Sequence, residues 1–339
     1  MKKYGRLLGS LILVGLLVWR IDWRQVASAF AQLETSYWLL ALGLYLLTQG
    51  VSAARWQMLG RILGLGGGWR DYLSPYFIGM FFNLVLPTSV GGDVVRAWYL
   101  AQQWRAAGVN RPVDAGRSPL TLAFLSVLAD RVNGLAVLIA VACVATLCCP
   151  IALPRWIVTI VAGMGASCLL GLAILPLLPW LRRRLPVHPR LSPLFDGAGL
   201  CMRDRRGLLG VTLLSLVVQL ANVALAWLVG EGLGLPVPPL YYGVLIPLVS
   251  ILTLLPISLN GMGLREAGTV LLLAPLQISS ASAVTLSLLL FAVYTVASLL
   301  GGVVYLFGRS PRFSMEAGHA DAVGGDSDQG RMCEPPAAA

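Results

Sequence analysis

The stretch "NLVLPTSVGGDVVRAW", Asn83 to Trp98, sets a proline, a glycine pair, an aspartate and an arginine inside an otherwise apolar run. A helix crossing a bilayer needs about 20 apolar residues in succession, and neither a proline nor a glycine pair suits its interior. The stretch therefore reads as a helix that enters the membrane, breaks, and resumes with charges in its first turn. Pro87 ends the first half-helix, because the residue before a proline is pushed out of helical geometry. Gly91 and Gly92 break the chain, and Asp93 caps the returning half, with Arg96 one turn further along the same face.

The rest of the chain supports a membrane setting. Of 339 residues, 57% are hydrophobic and 12% charged, where an ordinary soluble domain has about 25% charged; the mean hydropathy is +0.78. Apolar segments long enough to cross run from Tyr37 to Leu59, Leu120 to Cys149, Trp156 to Leu178, Leu208 to Gly230 and Ala281 to Phe307. The shorter run Leu7 to Trp19, flanked by Lys2, Lys3, Arg6 and Arg20, reads as a first helix or, with "ASAFA" behind it, as a cleaved signal peptide. The net charge of +10 lies in short loops between apolar spans, so it marks topology and not nucleic-acid binding. The six cysteines have no metal or disulfide spacing. Residues 308–339, rich in Gly, Asp, Ser, Ala and Pro, read as a disordered tail behind a membrane domain of residues 1–307.

The opening motif has an echo. "LPTSVGGDVVR", Leu86 to Arg96, aligns without gaps on "LPISLNGMGLR", Leu255 to Arg265, an offset of 169 residues that also sets Tyr72 on Tyr241. In the second copy Pro256 ends the entering half, Gly261 and Gly263 supply the turn, Asn260 is the expected cap, and Arg265 stands in the first turn. Each half, about 1–150 and 151–307, then holds two apolar spans, one interrupted segment and a further span. Paired interruptions at corresponding positions point to a transporter's binding site.

Counting Lys and Arg decides whether the interrupted segments cross. If both turn back and the N-terminus is cytoplasmic, eighteen basic residues fall inside and three (Arg20, Arg24, Arg155) outside. If both crossed, the loop carrying seven arginines between Arg182 and Arg206 would face outward, against the positive-inside tendency. The expected fold is an all-α polytopic membrane protein with about six full crossings and two re-entrant helical hairpins. The halves form an inverted repeat in a bacterial inner membrane, with both termini cytoplasmic.

Four arginines remain: Arg55, Arg96, Arg131 and Arg265, in or beside apolar segments, as are Asp93, Asp130 and Glu266. A charge at a helix centre costs about 2.5–3.5 kcal/mol on insertion scales, so seven unpaired ones would cost on the order of 20 kcal/mol. Asp130 and Arg131 are adjacent, roughly 100° apart on a helix, and must seek partners on other elements. Two half-helix N-termini, each with an arginine, make an anion site suited to phosphate. These seven residues are the expected substrate-binding set, with Asp93, Asp130 and Glu266 orienting the arginines and limiting net charge. No loop of the G-x-x-x-x-G-K-[ST] type is present, and the two histidines, His188 and His319, fall in a loop and the tail. The expectation is therefore no enzyme, no cofactor and no metal.

"ARWQML" (Ala54 to Leu59), "FFNLVLPTSVGGDVVRAW", "ADRVNGL" (Ala129 to Leu135) and "LPISLNGMGLREAG" (Leu255 to Gly268) resemble, in that order, the membrane domain of lysylphosphatidylglycerol synthases, a flippase-like family. The resemblance covers most of Tyr37 to Phe307. It implies the translocation half of such proteins, which moves a lipid between leaflets, without the soluble domain that makes the aminoacylated lipid. The expected substrate is an anionic phospholipid or a polyprenyl-phosphate-linked lipid, moved without ATP. A non-transporting accessory protein of envelope synthesis and a membrane-embedded transferase are the alternatives; envelope-biosynthesis enzymes are candidate partners.

Overall fold

The computed structural model describes residue 31 and residues 33–86, 91–106, 118–177, 192–255 and 261–307. The expected first span, the tail, and Pro87, Pro256 and Asn260 lie outside them. The described residues are helical and contain no strand. In chain order the helices are α1 (Thr35–Ile62), α2 (Trp69–Val85), α3 (Gly91–Ala106), α4 (Pro119–Cys148), α5 (Arg155–Ile174), α6 (Ser192–Arg203), α7 (Arg205–Gly232), α8 (Pro239–Leu254), α9 (Leu264–Leu273) and α10 (Ser280–Phe307). Among these, α1, α4, α5 with its 3₁₀ extension to Leu177, α7 and α10 are long and apolar enough to cross a membrane. The ends of each expected span in this region fall within three residues of those of its helix. Helices α2 and α3, of 17 and 16 residues, are about 25 Å long, short of a hydrocarbon core of about 30 Å.

The two halves share local structure. Helices α1 and α7 both have 28 residues and end in the same turn. Gly64 (φ +86°) and Gly234 (φ +63°) take the left-handed conformation, while the N–H groups of Leu65 and Leu235 donate to the carbonyls of Gly60 and Gly230 at 2.7 and 3.0 Å, a Schellman-type ending. A tyrosine closes each turn from the next helix. A Cβ on Gly60 would stand 2.1 Å from the Tyr72 hydroxyl, and one on Gly230 would stand 1.8 Å from that of Tyr242. The partner of Tyr72 is thus Tyr242 and not Tyr241: the repeat runs at an offset of 170 through the turn and shifts by one residue before the proline loop. Tyr241 instead donates its hydroxyl to the Leu272 carbonyl.

Neighbour relations also recur between halves. Helix α1 packs on α2 as α7 does on α8; α2 packs on α3 as α8 on α9; α3 packs on α4 as α9 on α10. Between halves, α2 lies against α10 as α8 lies against α4, and α1 meets α7 in the most extensive contact.

The two interrupted segments are built differently. Gly91 and Gly92 do not break the chain; they are the first residues of α3. Gly92 is required for close approach, since a Cβ there would stand 1.9 Å from the Gly79 carbonyl oxygen of α2. Its N–H donates to Asn83 Oδ1 at 2.8 Å, tying the two half-helices together. In the second interrupted segment Gly261 and Gly263 do turn the chain, at φ +72° and +79°. The cap of α9 is Gly263, with the Glu266 carboxylate accepting its N–H at 2.7 Å; Asn260 stands too early for that role. Likewise Asp93 is the third residue of α3, and both its carboxylate oxygens go to an arginine.

The seven-arginine segment, read as a loop, holds one further helix. In α6, Leu200 and Cys201 pack with Leu59, Leu63, Leu125 and Val211 from the ends of α1, α4 and α7, leaving Arg203 exposed.

Candidate functional site

Helices α1, α3 and α4 converge with five charged side chains between them. Arg55 of α1 donates Nε to Asp130 Oδ1 at 2.8 Å and Nη1 to the Ser215 hydroxyl of α7 at 3.1 Å. Arg96 of α3 donates Nη2 to Asp130 Oδ2 at 3.3 Å, and its Nε lies 3.2 Å from Asp93 Oδ1. Arg131 of α4 grips Asp93 bidentately, Nε and Nη2 to the two carboxylate oxygens at 2.8 and 2.9 Å. Asp130 and Arg131 therefore find their partners on other helices, as their angular separation requires. Asp130 is 2% exposed and Arg55, Arg96 and Asp93 are also buried, whereas the Arg131 side chain is 51% exposed.

Burial of ions needs charge partners and hydrogen bonds, because each isolated ion costs several kcal/mol to desolvate. Here two carboxylates serve three guanidiniums. Aromatic faces supplement them: the Arg96 guanidinium lies 5.0 Å from the Trp56 ring centre and 5.2 Å from that of Tyr76, a geometry in which ring quadrupoles attract a cation. Trp56 is held by its indole N–H donating to Ser126 at 2.9 Å and by an edge-on contact with Tyr72.

This cluster lines a cavity of about 610 Å³. One wall is the α4 stripe Phe124, Leu128, Val132 and Leu135, apolar and exposed. Positions 124, 128, 132 and 135 share a helix face at spacings of three and four. Arg131 adjoins that stripe, so the cavity presents a cationic corner beside an oily flank.

Arg265 and Glu266 lie elsewhere. Arg265 pairs with its neighbour Glu266, donates to the Ser287 hydroxyl at 3.2 Å and stacks 4.2 Å from the Phe291 ring centre. Arg265 lines a second, smaller cavity of about 260 Å³. Ile246, Ser250 and Tyr294 border both cavities, and Tyr294 meets Tyr45 at 4.9 Å between ring centres. The structure thus brings five of the seven expected residues together and sets Arg265 in an adjoining chamber, with Glu266 buried beside it as its ion-pair partner.

Trp56, Tyr76, Ser215, Ser287 and Phe291 complete these sites and were not singled out from sequence for that role. Trp56 had a signal, standing beside Arg55 in "ARWQML"; Ser215 and Phe291 had none, being ordinary residues of apolar spans.

No curated protein and no solved structure matches the chain. The family model described as "Lysylphosphatidylglycerol synthase TM region" matches residues 5–302. With apolar crossing helices in the same region, the protein is a multi-pass membrane protein that belongs to the lysylphosphatidylglycerol synthase transmembrane-region family.

Proposed function

We propose that this protein carries an anionic lipid between membrane leaflets without ATP hydrolysis, acting as a transporter and not as an enzyme. The observation that supports this most directly is the larger cavity, where buried arginines adjoin an exposed apolar stripe on α4. A soluble anion has no use for an oily flank, and a neutral lipid has none for the arginines. A lipid headgroup crosses unaided only by losing hydration from its phosphate; guanidiniums replace that hydration with charge-assisted hydrogen bonds, while the acyl chains stay on apolar surface. The halves, alike in neighbour relations and turn structure, are read as an inverted repeat in a bacterial inner membrane with cytoplasmic termini. The charge count supports that orientation.

The test is transport in liposomes. Purified protein should accelerate exchange of a fluorescent phosphatidylglycerol or a polyprenyl-phosphate analogue between leaflets without nucleotide, and accelerate a diacylglycerol of equal chain length much less. Equal acceleration of both would mean nonspecific disturbance of the bilayer. No acceleration of any anionic lipid by folded protein would move the assignment to an accessory role in envelope synthesis.

A further inference from the structure

The charges of the five-residue cluster do not close. Asp130 has Arg55 as its nearest guanidinium at 2.8 Å, and Asp93 has Arg131 on both oxygens at 2.8 and 2.9 Å. Each carboxylate therefore owns one arginine. Arg96 bridges the two pairs with the longest contacts in the cluster, 3.2 and 3.3 Å, and its Nε is buried without a hydrogen-bond partner among the described residues. The side chain is 5% exposed and lines the cavity. Three guanidiniums against two carboxylates leave one positive charge, and Arg96 is the arginine that is not the closest partner of either carboxylate.

We infer that Arg96 is the ligand-selecting cation of this site, and that the cavity takes a headgroup with one negative charge, such as a phosphodiester, over a dianionic phosphomonoester or a diphosphate. This rests on the anionic-lipid reading above and sharpens it. One added negative charge brings the cluster to neutrality. A second would leave a net negative charge in a setting that screens it poorly, reversing the mismatch instead of removing it. Arg55 and Arg131 cannot fill this role as well, since removing either takes from a buried carboxylate its closest partner. Removing Arg96 leaves two complete pairs.

The test uses the full-length protein in non-ionic detergent, with calorimetric binding of three short-chain lipids of equal acyl length. These are phosphatidylglycerol, phosphatidic acid at pH 8, where a phosphomonoester carries close to two charges, and diacylglycerol. Wild type should bind phosphatidylglycerol about tenfold or more tighter than either of the others. Arg96→Met, which leaves each carboxylate its closest arginine, should still fold and lose the preference for phosphatidylglycerol over diacylglycerol, while Arg96→Lys, keeping the charge without the fork, should retain part of it. Phosphatidic acid bound as tightly as phosphatidylglycerol would overturn the single-charge rule and leave the anionic-lipid reading standing. A preference that survives in Arg96→Met, or failure of that variant to fold, would overturn the assignment to Arg96. Diacylglycerol bound as well as phosphatidylglycerol by wild type would overturn both readings.

Discussion

Removing the carboxylate of Asp130 should be among the most damaging single changes in this protein. Asp130 is 2% exposed and accepts from Arg55 at 2.8 Å and Arg96 at 3.3 Å. Unit charges with centres about 4 Å apart attract by about 4 kcal/mol at an effective dielectric constant near 20. Two such attractions vanish in Asp130→Ala, and the cluster's charge rises by one. Relaxation and water entry offset part of that, and breaking a buried pair from one side costs about 3–5 kcal/mol. The double variant Arg55→Met/Asp130→Leu removes a complete pair and restores the original net charge. Replacing a buried pair by apolar groups is often close to neutral, so it should recover at least about 2 kcal/mol of the loss. Unfolding followed by tryptophan fluorescence in detergent, with Trp56 beside the cluster, measures both. If Asp130→Ala lies within about 1 kcal/mol of wild type, or the double variant is worse than the single, the five charges do not form an interdependent buried network.

Gly92→Ala should destabilise the protein by about 1–3 kcal/mol, the usual cost of overpacking, because its methyl would meet the Gly79 carbonyl at 1.9 Å. Gly43→Ala, with nothing within 4 Å of its added methyl, should be neutral or better in the same thermal unfolding assay; equal effects would refute the close-approach argument. In a cysteine-free background, single cysteines at positions 111 and 190 should be labelled by an impermeant thiol reagent only from the cytoplasm, and one at Pro238 only from outside. Labelling of positions 111 and 190 from opposite faces would rule out two re-entrant hairpins.

Some features of this protein are local, and a sequence states local features directly. The crossing helices are runs of apolar residues, and the solvent that selects them is uniform along each run, so Tyr37 to Leu59 announces α1 without reference to anything else. The turn before α9 is also local, because Gly261 and Gly263 adopt backbone angles that other residues avoid. The expense of buried charge is local too, which is why Arg55, Arg96, Asp130 and Arg131 stood out before any partner was known. Partner choice is not local. Arg55 meets Asp130 across 75 positions and Arg131 meets Asp93 across 38, and several pairings of these residues satisfy the same charge count. Only the crossing of α1, α3 and α4 selects among them, since a salt bridge forms over a few ångströms set by packing. The same holds for Gly92, whose sequence context reads as a chain break but whose use is to let α2 approach α3, and for Tyr242, which replaces Tyr241 as the counterpart of Tyr72 because a glycine on α7 leaves room for its hydroxyl. Separation of Arg265 from the other arginines is likewise a matter of packing. The repeat sets it at the place equivalent to Arg96, but its own neighbour Glu266 and the ring of Phe291 on α10 hold it in a different cavity.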